Sequence, residues 1–244
     1  MSFSFLSSYL LVLVALLYAK WYKIGLEKSI FTSSLRAFLQ LLLLGFALSY
    51  IFEITNIWLE ILILLFMVAF ASYTASKRTD IQNGFYICYV SIGASSFLVL
   101  FSLVGLRIIS LEPREFITIG GMIIGNAMNI ASLAIINFRD NALLRIAEIE
   151  GYTALGADLF NALKSSIRVS VKLALTPVIN NLQTVGIVLI PGIMSGMILA
   201  GASPLKAVSY QLVIMYMILA VSLLASVFAI RLSYSKILEK PLNN

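Results

Sequence analysis

Residues Glu148 to Pro177, EIEGYTALGADLFNALKSSIRVSVKLALTP, form the longest polar interruption in an otherwise apolar chain, and their reading organises the rest. The stretch opens with Glu148 and Glu150, breaks at Leu155-Gly156-Ala157-Asp158, and continues as a basic amphipathic segment. Gly156 interrupts the helical pattern and Asp158 is a good N-cap for the basic segment, so the spacing predicts a helix–turn–helix. In the second arm Asn161, Lys164, Ser165, Arg168 and Lys172 recur every three or four positions, with Leu159, Phe160, Leu163, Ile167, Val171 and Ala174 opposite them. Such a helix lies along a membrane surface or against a partner protein. Pro177 is expected to end it.

Outward from this stretch, the chain reads as membrane. Hydrophobic residues make up 61% of 244, charged residues 11%, and the mean hydropathy is +1.00. A spanning helix needs about 20 mostly apolar residues. The stretches 4–21, 34–52, 57–76, 85–106, 115–138, 183–200 and 208–230 qualify, which predicts an all-α polytopic protein of about seven transmembrane helices. With the N-terminus outside, all of the 17 Lys and Arg except Arg107, Arg114 and Lys206 fall on the inner side, while Glu53, Glu60, Glu112 and Glu115 lie outside. The net charge of +6 is therefore a positive-inside signal for an N-out chain with a cytosolic C-terminus, and not a nucleic-acid footprint. The first apolar run lacks a basic leader, and Lys20 and Lys23 come after it, so it reads as a retained span. Tyr22–Phe31 reads as a short interfacial elbow helix or a tight polar loop. Arg36, one turn from Gln40, is placed to snorkel to headgroups, and holding the inner gate or a partner interface is the competing reading. Cys88, the single cysteine, lies inside a span, which excludes a disulfide framework.

Two spans carry unusual residues. In the fifth, Gly121-x-x-x-Gly125 would let another backbone approach, and Asn126 and Asn129 share a face beside Met128. Those amides either glue helices together or line a substrate route. In the sixth, Gly192-x-x-x-Gly196 comes directly after Pro191, which should kink or break the helix at Pro191-Gly192, flanked by Met194, Ser195 and Met197. A break frees backbone carbonyls for a cavity, and a plain structural kink is the competing reading. Gln211 is a further buried amide at the start of span seven.

Absences narrow the chemistry. The sequence has no His, and no Asp or Glu falls in the middle third of any predicted span, which argues against an autonomous proton-coupled pump. It has no GxxxxGK[ST] loop, so it is not an ATPase and needs no cofactor of its own. Without His, and with one Cys, a tight metal cage is not built, and the identity of any metal ligand stays open. Met122, Met128, Met194 and Met197 offer soft thioethers, though Met within a span is more often flexible packing.

The string Glu150-x-x-x-Ala154-Leu155-Gly156-Ala157, with an amphipathic run after it, resembles the cytosolic coupling loop of ABC-transporter permeases. Gly125-Asn126-Ala127-Met128-Asn129, Thr184-Val185-Gly186, Pro191-Gly192-Ile193-Met194-Ser195-Gly196, Ala200-Gly201, Pro204-Leu205-Lys206-Ala207 and Tyr210-Gln211 extend the likeness, with Arg36-Ala37 and Gln40-Leu41 upstream. Together they resemble the FetB-type permeases of bacterial iron-export ABC transporters, whose plant relatives are linked to aluminium tolerance. The resemblance implies a single permease domain over residues 1–244 in the cell membrane, with a coupling loop and amphipathic helix at 139–182. It implies a homodimer working with a separate ABC ATPase that holds ATP and Mg. Glu150, Leu155, Gly156, Ala157 and Asp158 would couple to the ATPase, while Asn126, Met128, Asn129, Met194, Ser195, Met197 and Gln211 would line the route. Gly121, Gly125 and Gly196 would pack helices. The competing functions are a passive channel with a regulatory loop, and a non-transporting scaffold that recruits a cytosolic partner through residues 141–175.

Overall fold

The computed structural model describes residues 9–51, 53 and 56–237, and its chain divides into two units, residues 1–55 and 56–244. The expected first span begins at residue 4, so its opening turn lies outside the described residues.

In the first unit, α1 (Tyr9–Trp21) precedes α2 (Glu27–Ile51). The link is a tight turn. The Ile24 N–H donates to Ala19 O at 3.0 Å and the Lys23 N–H to Lys20 O at 3.1 Å, with Lys23 and Gly25 at φ 52° and 77°. Paired bonds of this type close the last turn of a helix. The elbow expected at Tyr22–Phe31 is thus a turn that runs directly into α2, because Glu27–Phe31 continue the pattern of the longer helix. Tyr9 meets Phe38 edge-on at 5.9 Å, which pins α1 to α2.

The second unit is a helical bundle. Its members are α3 (Ile57–Thr79), α4 (Gly84–Gly105), α5 (Pro113–Leu144), α6 (Ile146–Ala154), α7 (Leu159–Thr184), α8 (Gly192–Leu199) and α9 (Pro204–Ile237). Local chemistry sets the ends. Asn56 accepts from the Trp58 N–H at 3.0 Å to start α3. Pro113 opens α5 at a position where its missing N–H costs nothing, and Glu115 reaches back to accept from the Ser110 N–H and hydroxyl at 2.9 and 2.6 Å. Short links make α3, α4 and α5 alternate in direction. The start of α4 lies beside the end of α9, where Val90 and Ala94 share a pocket with Phe228 and Arg231, so α9 runs parallel to α5.

The core is built around α5, whose Phe116, Ile119, Ile123, Ile135 and Phe138 are fully buried. Gly120 is the point of closest approach. A Cβ there would lie 2.6 Å from Leu64 Cδ2, and Leu64 is itself fully buried. Across α3 and α4 the opposite surface is apolar and exposed, with Leu62, Phe66, Phe70, Leu98 and Phe101 facing outward, as hydrocarbon requires.

Helices α2, α3, α4, α5 and α9 are each long and apolar enough to cross a membrane. The segment 183–200, expected as a span, is not one helix. Helix α7 passes through Pro177 and ends at Thr184, a turn occupies residues 185–191, and α8 has 8 residues, about 12 Å. The break expected at Pro191 is present, but the helix it separates from α8 is α7. Pro177 does not end α7 because Ala174, Leu175 and Val178 are buried against the bundle on either side of it. That packing offsets one missing backbone bond. Likewise α5 does not stop near residue 138 but continues to Leu144, so the first turns of the expected loop are an extension of the span.

Candidate functional site: an exposed turn, a basic cleft and a polar helix

The turn predicted at Leu155–Asp158 is formed. The Ala157 N–H donates to Tyr152 O and the Gly156 N–H to Thr153 O, both at 3.0 Å, and Gly156 has φ 91°. This pair of bonds satisfies the last carbonyls of α6 and requires a left-handed residue at its centre, which glycine adopts without a Cβ clash. Asp158 then caps α7, accepting from the Asn161 N–H at 3.3 Å and from the Asn161 side-chain amide. Leu155 is 87% exposed, Glu150 and Asp158 are exposed, and Ala157 is half-buried. A Cβ built on Gly156 would meet nothing within 4 Å. The result is a hydrogen-bonded knob that projects away from the bundle with an apolar tip.

Below the knob, α6 and α7 fold back on each other around an open cleft of about 520 Å3. Arg145, at the α5–α6 junction, pairs with Glu148 at 2.7 Å and donates to the Ser165 hydroxyl, fixing the base of the hairpin to α7. Lys164, Arg168 and Lys172 line the cleft and form no ion pair among the described residues. Phe160 packs edge-on against Tyr234 at 5.8 Å, so α7 starts beside the end of α9 and runs antiparallel to it and to α5. Arg145, Lys164, Arg168, Lys172, Lys77, Arg78, Arg139, Arg231 and Lys236 all gather at this end of the unit. Glu60, Glu112 and Glu115 sit at the other.

The amides of α5 have partners. Asn126 donates to Met122 O at 2.8 Å, and Asn129 accepts from Arg78 at 3.1 Å, tying α5 to the end of α3. Met128 is half-buried, and its carbonyl accepts from Ser132 at 2.7 Å. Gly121 receives the Met67 methyl, 3.0 Å from where a Cβ would stand, while Gly125 and Gly196 meet nothing within 4 Å in the chain. The close contact of α5 therefore falls one residue before the pair that the spacing singled out. Met194, Ser195 and Met197 are half-buried on α8, which packs on α9. Gln211 is buried, and its Oε1 has no partner among the described residues.

Three features escaped the sequence reading. Arg78 supplies the partner of Asn129, a contact 51 residues apart that no local pattern announces. Glu60, read as an outer-side charge, is 2% exposed with an unpartnered oxygen in the first turn of α3. Helix α7 continues past its basic half with Thr176, Asn180, Asn181, Gln183 and Thr184 exposed, and the signal for this was the polar run itself, hidden by the stop assigned to Pro177.

These elements define a multi-pass helical membrane protein whose longest polar segment is a projecting, glycine-centred hairpin. Over residues 2–238 the chain belongs to the family described as "Uncharacterised protein family (UPF0014)". It is 38% identical to the UPF0014 membrane protein STAR2 of Oryza sativa subsp. japonica, over 85% of this chain and 73% of that protein. It is 35% identical to Protein ALUMINUM SENSITIVE 3 of Arabidopsis thaliana, over 94% and 84%, and 36% identical to the probable iron export permease protein FetB of Escherichia coli, over 93% and 88%. No solved structure matches the chain.

Proposed function

We propose that this protein is the membrane permease of an ABC transporter that exports iron or a related metal from the cytoplasm, powered by a separate ATPase. The observation that carries the reading is the knob at Leu155–Gly156: an exposed apolar tip on a hydrogen-bonded turn is suited to enter a groove on a moving partner. The name of the Escherichia coli relative, a probable iron export permease, supports both the permease class and the cargo. The positive-inside rule supports a cytoplasmic position for the basic end of the second unit and its knob, on the side where an ATPase would dock. Glu150, which forms no side-chain bond among the described residues, is free to pair with a basic residue of that groove. Two copies around a two-fold axis would complete the pathway, with Gly125 and Gly196, open within one chain, available to the second copy. Asn126, Met128, Asn129, Met194, Ser195, Met197 and Gln211 remain the candidates to touch cargo. The cations of the cleft repel a bare divalent ion, so a metal entering there would travel in an anionic complex.

The test is gentle purification from native membranes. An ABC ATPase recovered in stoichiometric amount is expected. A chain recovered alone that conducts down a gradient in liposomes would replace this reading with a passive channel.

A further inference from the structure

Helix α7 presents a problem that the bundle does not solve by itself. It has 26 residues, about 39 Å, and runs antiparallel along α5 and α9 from the basic end. One side packs on the bundle through Ala162, Leu163, Ser166, Ser170, Ala174 and Val178. The other exposes Arg168, Lys172, Thr176, Asn180 and Gln183 as one polar row, with Leu173, Pro177 and Ile179 exposed beside it. Its neighbour sets its depth. Arg145 contacts Ser165, and Arg139 lies six residues, about 9 Å, further into the bundle along α5, level with Lys172. Beyond Lys172, α7 is therefore beside the apolar body of α5, yet Asn180 and Gln183 are exposed and their amides have no partner among the described residues. Hydrocarbon does not accept such groups, which are stable at membrane depth only inside protein or against water. The surfaces of α3 and α4, where Phe66 and Phe101 face out, have the character that lipid demands. The polar row along α7 has the opposite character, although Leu173 and Ile179 flank it, and its basic end lines the 520 Å3 cleft through Arg168 and Lys172.

We propose that α7 crosses the membrane as the wall of a water-filled route, with the cleft as its cytoplasmic mouth and Thr176, Asn180 and Gln183 facing the water. This rests on the permease reading and deepens it: the route-lining element is the coupling hairpin's own second arm, so movement of the knob moves the wall. Hydropathy misses this crossing because a wall facing water need not be apolar.

Cysteine accessibility tests it. Cys88 is fully buried in α4, so the native background is low. The full-length variants Thr176→Cys, Asn180→Cys and Gln183→Cys, with Phe66→Cys as the lipid-facing control, are labelled in inside-out membrane vesicles by a charged, membrane-impermeant methanethiosulfonate. Only a hydrated thiol ionises and reacts readily, so at least one α7 position is expected to label about ten-fold or more faster than Phe66→Cys. Three positions guard against a variant that fails to insert. Rates equal to that of Phe66→Cys at every inserted α7 position would overturn the proposal, whether lipid or a dry contact covers the helix. The readout does not need an ATPase. Absent labelling with an ATPase bound would remove the wall and keep the permease, whereas labelling with no ATPase would keep the wall and make the protein a channel.

Discussion

Gly120 and Gly156 both disfavour a side chain, for opposite reasons. Gly120 sits at the centre of α5 with ordinary helical geometry, and what excludes a side chain is Leu64, pressed so close that a Cβ would overlap it. Gly156 sits on the knob with nothing within 4 Å, and what excludes a side chain is its own backbone at φ 91°. The first glycine is fixed by its neighbours and the second by the turn. The contrast separates the molecule into an interior optimised for packing and a projection optimised for shape. Under the proposed permease function both would be needed, since a loose core would absorb the motion that the projection delivers.

Substitutions at the two sites sharpen the contrast. The largest effect is expected for Gly156→Arg, which strains a left-handed position and adds a charged bulk to the tip. Membrane insertion should be retained while transport falls at least ten-fold, by the loss of roughly 1.4 kcal/mol or more of coupling. Transport and ATP hydrolysis measured together in proteoliposomes with the proposed ATPase check this, and unchanged transport would remove the coupling role. Gly120→Val should act on the fold instead, with overpacking that costs about 1–3 kcal/mol and lowers the melting temperature in detergent. ATPase binding by the fraction that folds should persist. The smallest effect is expected at the junction of the two regions. Asp158→Ala removes the cap of α7 at a cost of about 1 kcal/mol, and Asp158→Asn should restore most of it in the same melting assay.

Legibility in the sequence tracked the range of the interactions. The hairpin was legible because its determinants are local: Gly156 at the turn, Asp158 three residues before the amide it caps, and a 3.6-residue pattern along α7. The break at Pro191 was legible for the same reason. The end of α7 was not, because Pro177 is a local stop signal that buried Ala174 and Val178 override through contacts with distant helices. The close approach at Gly120 was displaced by one residue for a related cause. Glycine spacing marks where a backbone can approach, but only the partner's side chain, here Leu64, decides which glycine it meets. Asn129 is another such case, since its bond to Arg78 depends on the register of α3 against α5.

What the sequence determined by itself is therefore the solvent and the punctuation: a chain too apolar for water, helices of membrane length, basic residues gathered toward one end, and a glycine-centred turn with its cap. What only the tertiary structure decided is the direction each helix face looks. A polar residue reads the same in sequence whether it meets a partner helix, lipid or water. The burial of Glu60, the pairing of Asn129 and the open row from Lys172 to Gln183 came from the packing of helices distant in the chain. Those contacts are set by the shape of the whole bundle and not by neighbours along it.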